Sequence, residues 1–310
     1  MPVLHVQSPG LFTTVQDLGR YGHGALGVSP SGAADPIALR LGNWLVGNAE
    51  SAAGLEMTLL GGTFLFPEGG VVALTGSDFG GTVDASPLPM WTACQVRPGQ
   101  TLRTGPTQSG ARCYLSVRGG IVVKPLMGSS STHILSGLGG LQGRPLRKGD
   151  AIQIGDGANA AMRWPRAVAP ELLSRLRPRK ALRTTVAPQT DLFSAQAVRR
   201  FYDSPYSVTE ESNRMGLRLQ GAAIETPHSG QMITEGVSLG AIQVPAGGQP
   251  IILFVEQQTT GGYPKIANVI SADLSSAGQL RPRDEVRFEL VTPEAARALI
   301  RLQEQILKEC

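Results

Sequence analysis

Short runs in which apolar residues alternate with polar ones, or stand unbroken over four or five positions, recur along the whole chain. Thr63-Phe64-Leu65-Phe66, Val71-Val72-Ala73-Leu74, Tyr114-Leu115-Ser116-Val117 and Ala151-Ile152-Gln153-Ile154 read as strands separated by Gly and Pro turns, and Leu4-His5-Val6 as a short opening strand. A second set follows at Leu182 to Val186, Gly216 to Leu219, Ala241 to Val244, Ile251 to Val255, Lys265 to Ile270 and Glu285 to Leu290. Strands this short and this closely spaced predict a barrel or sandwich. Helical spacing is confined to two places. Asp35 caps a helix with Pro36 at its first position, an apolar stripe at Ile37, Leu41, Trp44 and Leu45, and Gly47 to end it. Thr292-Pro293-Glu294 opens the last helix, whose stripe is Leu299, Leu302 and Ile306.

Between the two sets of strands, Arg163 to Arg183 carries Pro165, Pro170 and Pro178 and a basic run, the composition of a linker. The expected division is residues 1–172 and 173–310. A faint duplication supports it: a basic turn, Asp150 and an alternating strand in the first half resemble a basic turn, Asp284 and an alternating strand in the second.

Composition sharpens this picture. With 39 glycines, 22 prolines and 17% charged residues in 310, the chain favours turns and short strands. A net charge of +4 with 5% aromatics argues against a nucleic-acid platform. Cys94, Cys113 and Cys310 lie far apart with no CxxC spacing, so no zinc ribbon or disulfide framework is expected, which suits a reducing cytoplasm. The N-terminus lacks the basic and apolar regions of a signal peptide, and no apolar run is long enough for a membrane span. His5, His23, His133 and His228 are scattered, so no metal site is expected. The glycine-rich segment from Gly137 to Gly143 lacks the Lys-Ser/Thr of a P-loop and the Rossmann spacing, and reads as a turn.

The chemistry concentrates in Glu256-Gln257-Gln258-Thr259-Thr260-Gly261-Gly262-Tyr263-Pro264-Lys265, which leaves the apolar run Ile251 to Val255. A strand buried on both faces would anchor a carboxylate, two hydroxyls, an amide pair, a phenol and an ammonium within a few residues, and binding sites are commonly built that way. The glycine pair permits positive φ and close approach of backbone N–H groups to a ligand. An ordinary polar hairpin loop, with Thr and Gln bonded to its own backbone, would have the same composition. Glu256 at the end of a core strand is a candidate proton acceptor with a raised pKa. Lys265 and Arg214 are candidate anion holders, although Arg214 could instead pair with Glu210 or Glu211 on its own segment. Asn43 lies off the helix stripe and points at a cavity, into solvent, or at backbone that it bonds. The loop around Asp17, Arg20, Tyr21 and His23 could lie against a ligand or close on itself.

Three segments carry a resemblance: Gly248 to Leu274 (GQPIILFVEQQTTGGYPKIANVISADL), Thr13 to Asn48, and Glu210 to Gly221 (EESNRMGLRLQG). Together they resemble the KipA / allophanate hydrolase subunit 2-type family, over nearly the whole chain. That family includes the C subunit of ATP-dependent 5-oxoprolinase and the carboxyltransferase segment of urea carboxylase. Its members commonly carry Asp where this chain has Glu256. The resemblance implies a mainly β fold with a few helices, arranged as two cyclophilin-like β-barrel domains.

It further implies a hydrolase subunit that opens a five-membered lactam to glutamate at the expense of ATP. The partners would be a KipI-like B subunit and a LamB/YcsF-like A subunit, without which the chain would be inactive. ATP would belong to the complex, at a site the sequence does not place, and no biotin would be attached to this chain. In that reading Glu256, Lys265, Asn43 and Arg214 are catalytic, and Gln258, Thr259, Thr260, Gly261, Gly262, Tyr263, Arg20 and Asp35 bind substrate. A biotin-dependent carboxyltransferase acting on urea or an amide is the second reading, disfavoured by the lack of fused carboxylase or carrier segments. A regulatory protein that binds a KipI-like partner is the third.

Overall fold

Alternation in the sequence becomes alternation in burial. In the strand Thr63–Phe66 both phenylalanines are buried between half-exposed neighbours, and in Ala151–Ile154 both isoleucines are buried between exposed ones. The structure, a computed structural model, describes residues 1–157, 166–227 and 232–309. Part of the predicted linker (163–165), His228 and Cys310 lie outside them. The chain divides into two compact units, 1–20 with 31–175 and 21–30 with 176–309.

The first unit holds a seven-stranded sheet and a five-stranded sheet. In the larger, Val3–Ser8 runs antiparallel between Ala151–Ile154 and Thr63–Phe66. In the smaller, Arg112–Val117 lies between Gly54–Thr58 and Gly70–Gly76. One core, including Leu4, Val6, Leu55, Phe64, Phe66, Leu74 and Leu115, joins the inner faces of both. The helix Pro36–Val46 forms where expected: the Asp35 carboxylate accepts from the Ala38 N–H, and Gly47 ends it at φ 77°. Its buried face is wider than the predicted stripe, because Gly42 lies so close to the sheet that a Cβ there would stand 2.6 Å from Ser116 Oγ. Trp44 is instead half-buried, under the Arg166 guanidinium 3.8 Å from its ring centroid.

In the second unit seven strands close a barrel, in the order Ala181–Val186, Lys265–Val269, Ala241–Gln243, Ile251–Leu253, Gly216–Gly221, Tyr206–Val208 and Glu285–Leu290. The last pairs in parallel with the first, which removes both sheet edges. The helix Ala195–Asp203, capped by Ser194, lays Phe201 on Phe288 with ring centroids 4.5 Å apart. The helix Pro293–Leu307 begins at Thr292 as expected. Its buried face runs to Ile306 and Leu307, with Gln303 bonded to the Ala272 carbonyl, and leaves Leu302 exposed.

The two resembling turns fold alike. The Asp150 carboxylate accepts from the Arg147 N–H (2.7 Å) while Val6 and residues 149 and 150 exchange two backbone bonds. The Asp284 carboxylate accepts from the Arg281 N–H (2.9 Å) while Val208 and residues 283 and 284 exchange the same two. The residue before each aspartate is left-handed: Gly149 at φ 91°, Arg283 at φ 71°.

Candidate functional site

The site stretch grows out of the barrel one residue pair beyond its ladder. The strand Ile251–Leu253 pairs with Gly216–Gly221, and past its end the Phe254 N–H still bonds Met215 O and the Glu256 N–H bonds Arg214 O (2.8 Å). This out-of-register continuation sets Glu256 against Arg214. The Arg214 Nε donates to Glu256 Oε1 at 2.5 Å, with both side chains almost fully buried. Of the local partners considered for Arg214, Glu210 binds Arg283 and Glu211 lies near Arg218. Arg214 therefore fixes a carboxylate brought to it by the barrel.

Lys265 opens the strand Lys265–Val269, which Ala241–Gln243 separates from Ile251–Leu253 in the barrel, and is 3% exposed. Its ammonium donates to Glu235 Oε1, whose side chain is 42% exposed. Glu235 stands on a two-residue strand, Glu235–Gly236, paired with Thr260–Gly261, so the site stretch itself brings Glu235 up to Lys265. The Lys265 ammonium holds the Glu235 carboxyl below the usual carboxylate range, with a smaller contribution from Gln189, whose Nε2 donates to the same oxygen at 2.8 Å.

Three glutamines complete the cluster. Gln243 is the cross-strand partner of Lys265 and accepts from Gln258 Nε2 at 3.2 Å. Its own Nε2, Gln189 Oε1 and Gln257 Oε1 are buried with no hydrogen-bond partner. An orphaned buried amide atom costs about 1–3 kcal/mol, so each of the three is a point at which a water or a ligand atom would be stabilised. Gly261 and Gly262 do not adopt the left-handed backbone that the sequence allowed for. They are glycines for room: a Cβ on Gly261 would stand 2.6 Å from Gln243 Nε2, and one on Gly262 would stand 3.1 Å from Met232 O. Thr260 and Tyr263 are exposed at the rim, and Thr259 and Gln258 are half-buried.

The other sequence candidates lie in the first unit and are held by the fold. Both hydrogens of the Asn43 amide are committed, to Glu50 O (3.1 Å) and Ala52 O (2.7 Å), and its oxygen accepts from Asn48. Of its readings, the backbone-bonded one is what the structure shows. Asp35 caps its helix, and its N–H bonds the Tyr114 hydroxyl, which in turn donates to the buried Glu56. Arg20 is 2% exposed and donates to the carbonyls of Leu126 and Ser131. Asp17 accepts from Gly19 N close by and from Ser129 Oγ, Ser130 N and Ser131 Oγ of a distant segment, so the start of the glycine-rich N-terminal loop is tied to residues 129–131.

Sequence reasoning did not single out Glu235, Gln189 and Gln243. A free-standing glutamate in a polar stretch, a glutamine in a loop and a glutamine at a strand end carry no spacing signal; only tertiary structure unites them. Among the described residues no group of His, Cys, Asp and Glu is placed to hold a metal ion. No described helix is long and apolar enough to cross a membrane.

Comparison with known proteins agrees with this architecture. The family model described as carboxyltransferase domain, subdomain A and B, matches residues 26–290. The chain is 36% identical to the 5-oxoprolinase C subunit of Haemophilus influenzae and 38% to that of Escherichia coli, over 96% and 95% of its own length and 94% and 93% of theirs. It is similar to the K. lactis urea amidolyase structure, with TM-score 0.91 and 31% identity, covering 99% of this chain and 20% of that one. The TTHA0988 crystal structure matches at TM-score 0.80 and 34% identity over 93% of this chain and 56% of that one. With a matching family model over most of its length and two relatives aligned nearly end to end, the chain belongs to the carboxyltransferase-domain family, subdomain A and B.

Proposed function

We propose that this chain is the C-type member of an ATP-dependent 5-oxoprolinase, working with a KipI-like and a LamB/YcsF-like partner in the cytoplasm to open 5-oxoproline to glutamate. The observation that carries the reading is the near end-to-end similarity to two 5-oxoprolinase C subunits. The second barrel is consistent with it, because it buries one carboxylate and one ammonium on the same stretch, each in its own ion pair. Opening the ring adds water across the amide: the carbonyl carbon gains an oxygen, the C–N bond breaks and the nitrogen takes a proton.

Glu256, fixed in orientation by Arg214, is the group suited to take the proton from the incoming water. Lys265 is suited to hold the substrate carboxylate. ATP supplies the driving force to the complex, but the glycine-rich segment of this chain does not fit its phosphates. The N–H groups of Leu138, Gly140 and Gly143 are already committed to His133 O, Ser130 O and Gly139 O, so none of the three is left to cradle an anion.

The likeness to urea amidolyase at TM-score 0.91 favours a second reading, a biotin-dependent carboxyltransferase acting on urea or another amide. One experiment separates them. The chain is co-expressed with its two partners, and ATP-dependent glutamate release from 5-oxoproline is measured. Turnover that needs all three chains supports the first reading. Absence of turnover, with carboxylation of urea from carboxybiotin instead, replaces it with the second.

A further inference from the structure

The cluster around Lys265 contains more recognition chemistry than an ion pair needs. Gln189 presents both halves of its amide there: Nε2 donates to Glu235 Oε1, while Oε1 is buried and unpartnered. It is fixed in place, because the adjacent Thr190 hydroxyl bonds Ile266 O, next door to Lys265. Gln243 presents the complementary group: its oxygen is taken by Gln258, and its Nε2 is buried and unpartnered, with Gly261 leaving room beside it. Within one contiguous cluster there are thus an ammonium, a donor–acceptor pair and a lone donor. The only anionic group on that ammonium among the described residues is Glu235, which is half in solvent on a two-residue strand.

A lactam that carries a carboxylate on the carbon next to its ring nitrogen offers the matching set. Its carboxylate and its N–H project from adjacent atoms, so one primary amide can donate to the first and accept from the second. Its carbonyl, on the far side of the nitrogen, needs a separate donor. We propose that Gln189 and Gln243 are the residues that read this ring, Gln189 across its N–H and carboxylate and Gln243 at its carbonyl, and that Glu235 holds the carboxylate's place on Lys265 until substrate displaces it. This rests on the 5-oxoproline reading above. Both orphaned amide atoms are buried with Glu235 on Lys265.

The test uses the assembled three-chain enzyme, with KM and kcat for 5-oxoproline, and calorimetric binding of 5-oxoproline and of 2-pyrrolidinone, the same ring without its carboxylate. A competitor on the carboxylate subsite costs affinity, and a half-exposed ion pair sets that cost at about two- to fivefold. Glu235→Ala therefore lowers KM for 5-oxoproline by about that factor, with kcat held and no change for 2-pyrrolidinone. Gln189→Leu raises KM for 5-oxoproline by about tenfold or more, the cost of leaving a substrate polar group unpaired, and leaves KM for ATP unchanged. If Glu235 merely props Lys265 in position, Glu235→Ala raises KM instead, and the inference fails while the oxoprolinase reading stands. Unchanged KM values in both variants overturn it equally. A wild-type enzyme that neither binds nor turns over 5-oxoproline overturns both.

Discussion

Removing the guanidinium from Glu256 is the sharpest test of how the site is held. In Arg214→Met the carboxylate at 2–3% exposure loses the cation that lies 2.5 Å from it, while the backbone bond from the Glu256 N–H to Arg214 O is untouched. The change therefore isolates the side chains. Breaking a buried pair from one side costs about 3–5 kcal/mol, against about 0.5 kcal/mol for a pair in solvent. Set against a total stability of about 5–15 kcal/mol, that lowers the melting temperature by roughly 5–15 °C. Glu256→Leu strands the guanidinium instead and costs a similar amount. The double variant Arg214→Met/Glu256→Leu removes both charges, so most of the loss returns, and the cycle yields a coupling of about 2 kcal/mol or more. The assay is urea unfolding followed by circular dichroism on all four chains. A coupling below about 0.5 kcal/mol would refute the claim that this pair is desolvated. Glu256→Gln keeps the shape and a hydrogen-bond acceptor, so it stays folded but loses turnover in the three-chain assay; full activity would remove Glu256 as proton acceptor.

Three further outcomes follow from described geometry. Arg283→Gly relieves a left-handed residue whose partner Glu210 is itself exposed, so it raises stability by about 1 kcal/mol in urea unfolding, whereas Gly149→Ala, in open space, lowers it by about as much. The Arg144 guanidinium grips both oxygens of Asp150 at 2.8 Å and holds its carboxyl below the usual range. A lowered folded-state pKa gives stability that is complete above the unfolded value of about 3.9 and is lost as pH falls through the lower folded value, so Arg144→Gln moves the acid-unfolding midpoint to higher pH. Gly261→Ala pushes a methyl against the ends of Gln243 and Gln258, which yield, so melting changes little while KM for 5-oxoproline rises by about tenfold; an unchanged KM would mean the glutamines do not meet substrate.

What could be read from sequence was whatever one residue does locally. Asp35, Pro36 and Gly47 state the limits of a helix by themselves, as do Thr292 and Pro293 the start of another. The alternation of Phe64 and Phe66, or of Ile152 and Ile154, states which face is inside. The mainly β character and the stretch from Glu256 to Lys265 followed from such signals. The rest depends on distance through space. Gly54–Thr58 hides a wholly buried Glu56 whose partners, Ala34 N–H and Tyr114, come from other elements, so its strand looks too polar on paper. Arg214 looked toward its sequence neighbours, yet the barrel delivers Glu256 to it. Glu235 and Gln189 are ordinary letters until the fold sets Glu235 on Lys265 and Gln189 on Glu235.

The paired aspartate turns show how little of a repeat must survive for its shape to survive. In both, the bend is secured by a carboxylate capping an N–H three residues earlier and by two main-chain bonds to a valine, and main-chain bonds do not depend on side-chain identity. Even the strained position has changed from glycine to arginine without losing its conformation. If both halves descend from one duplicated β unit, their kinship would be preserved in the geometry of the backbone and erased nearly everywhere else.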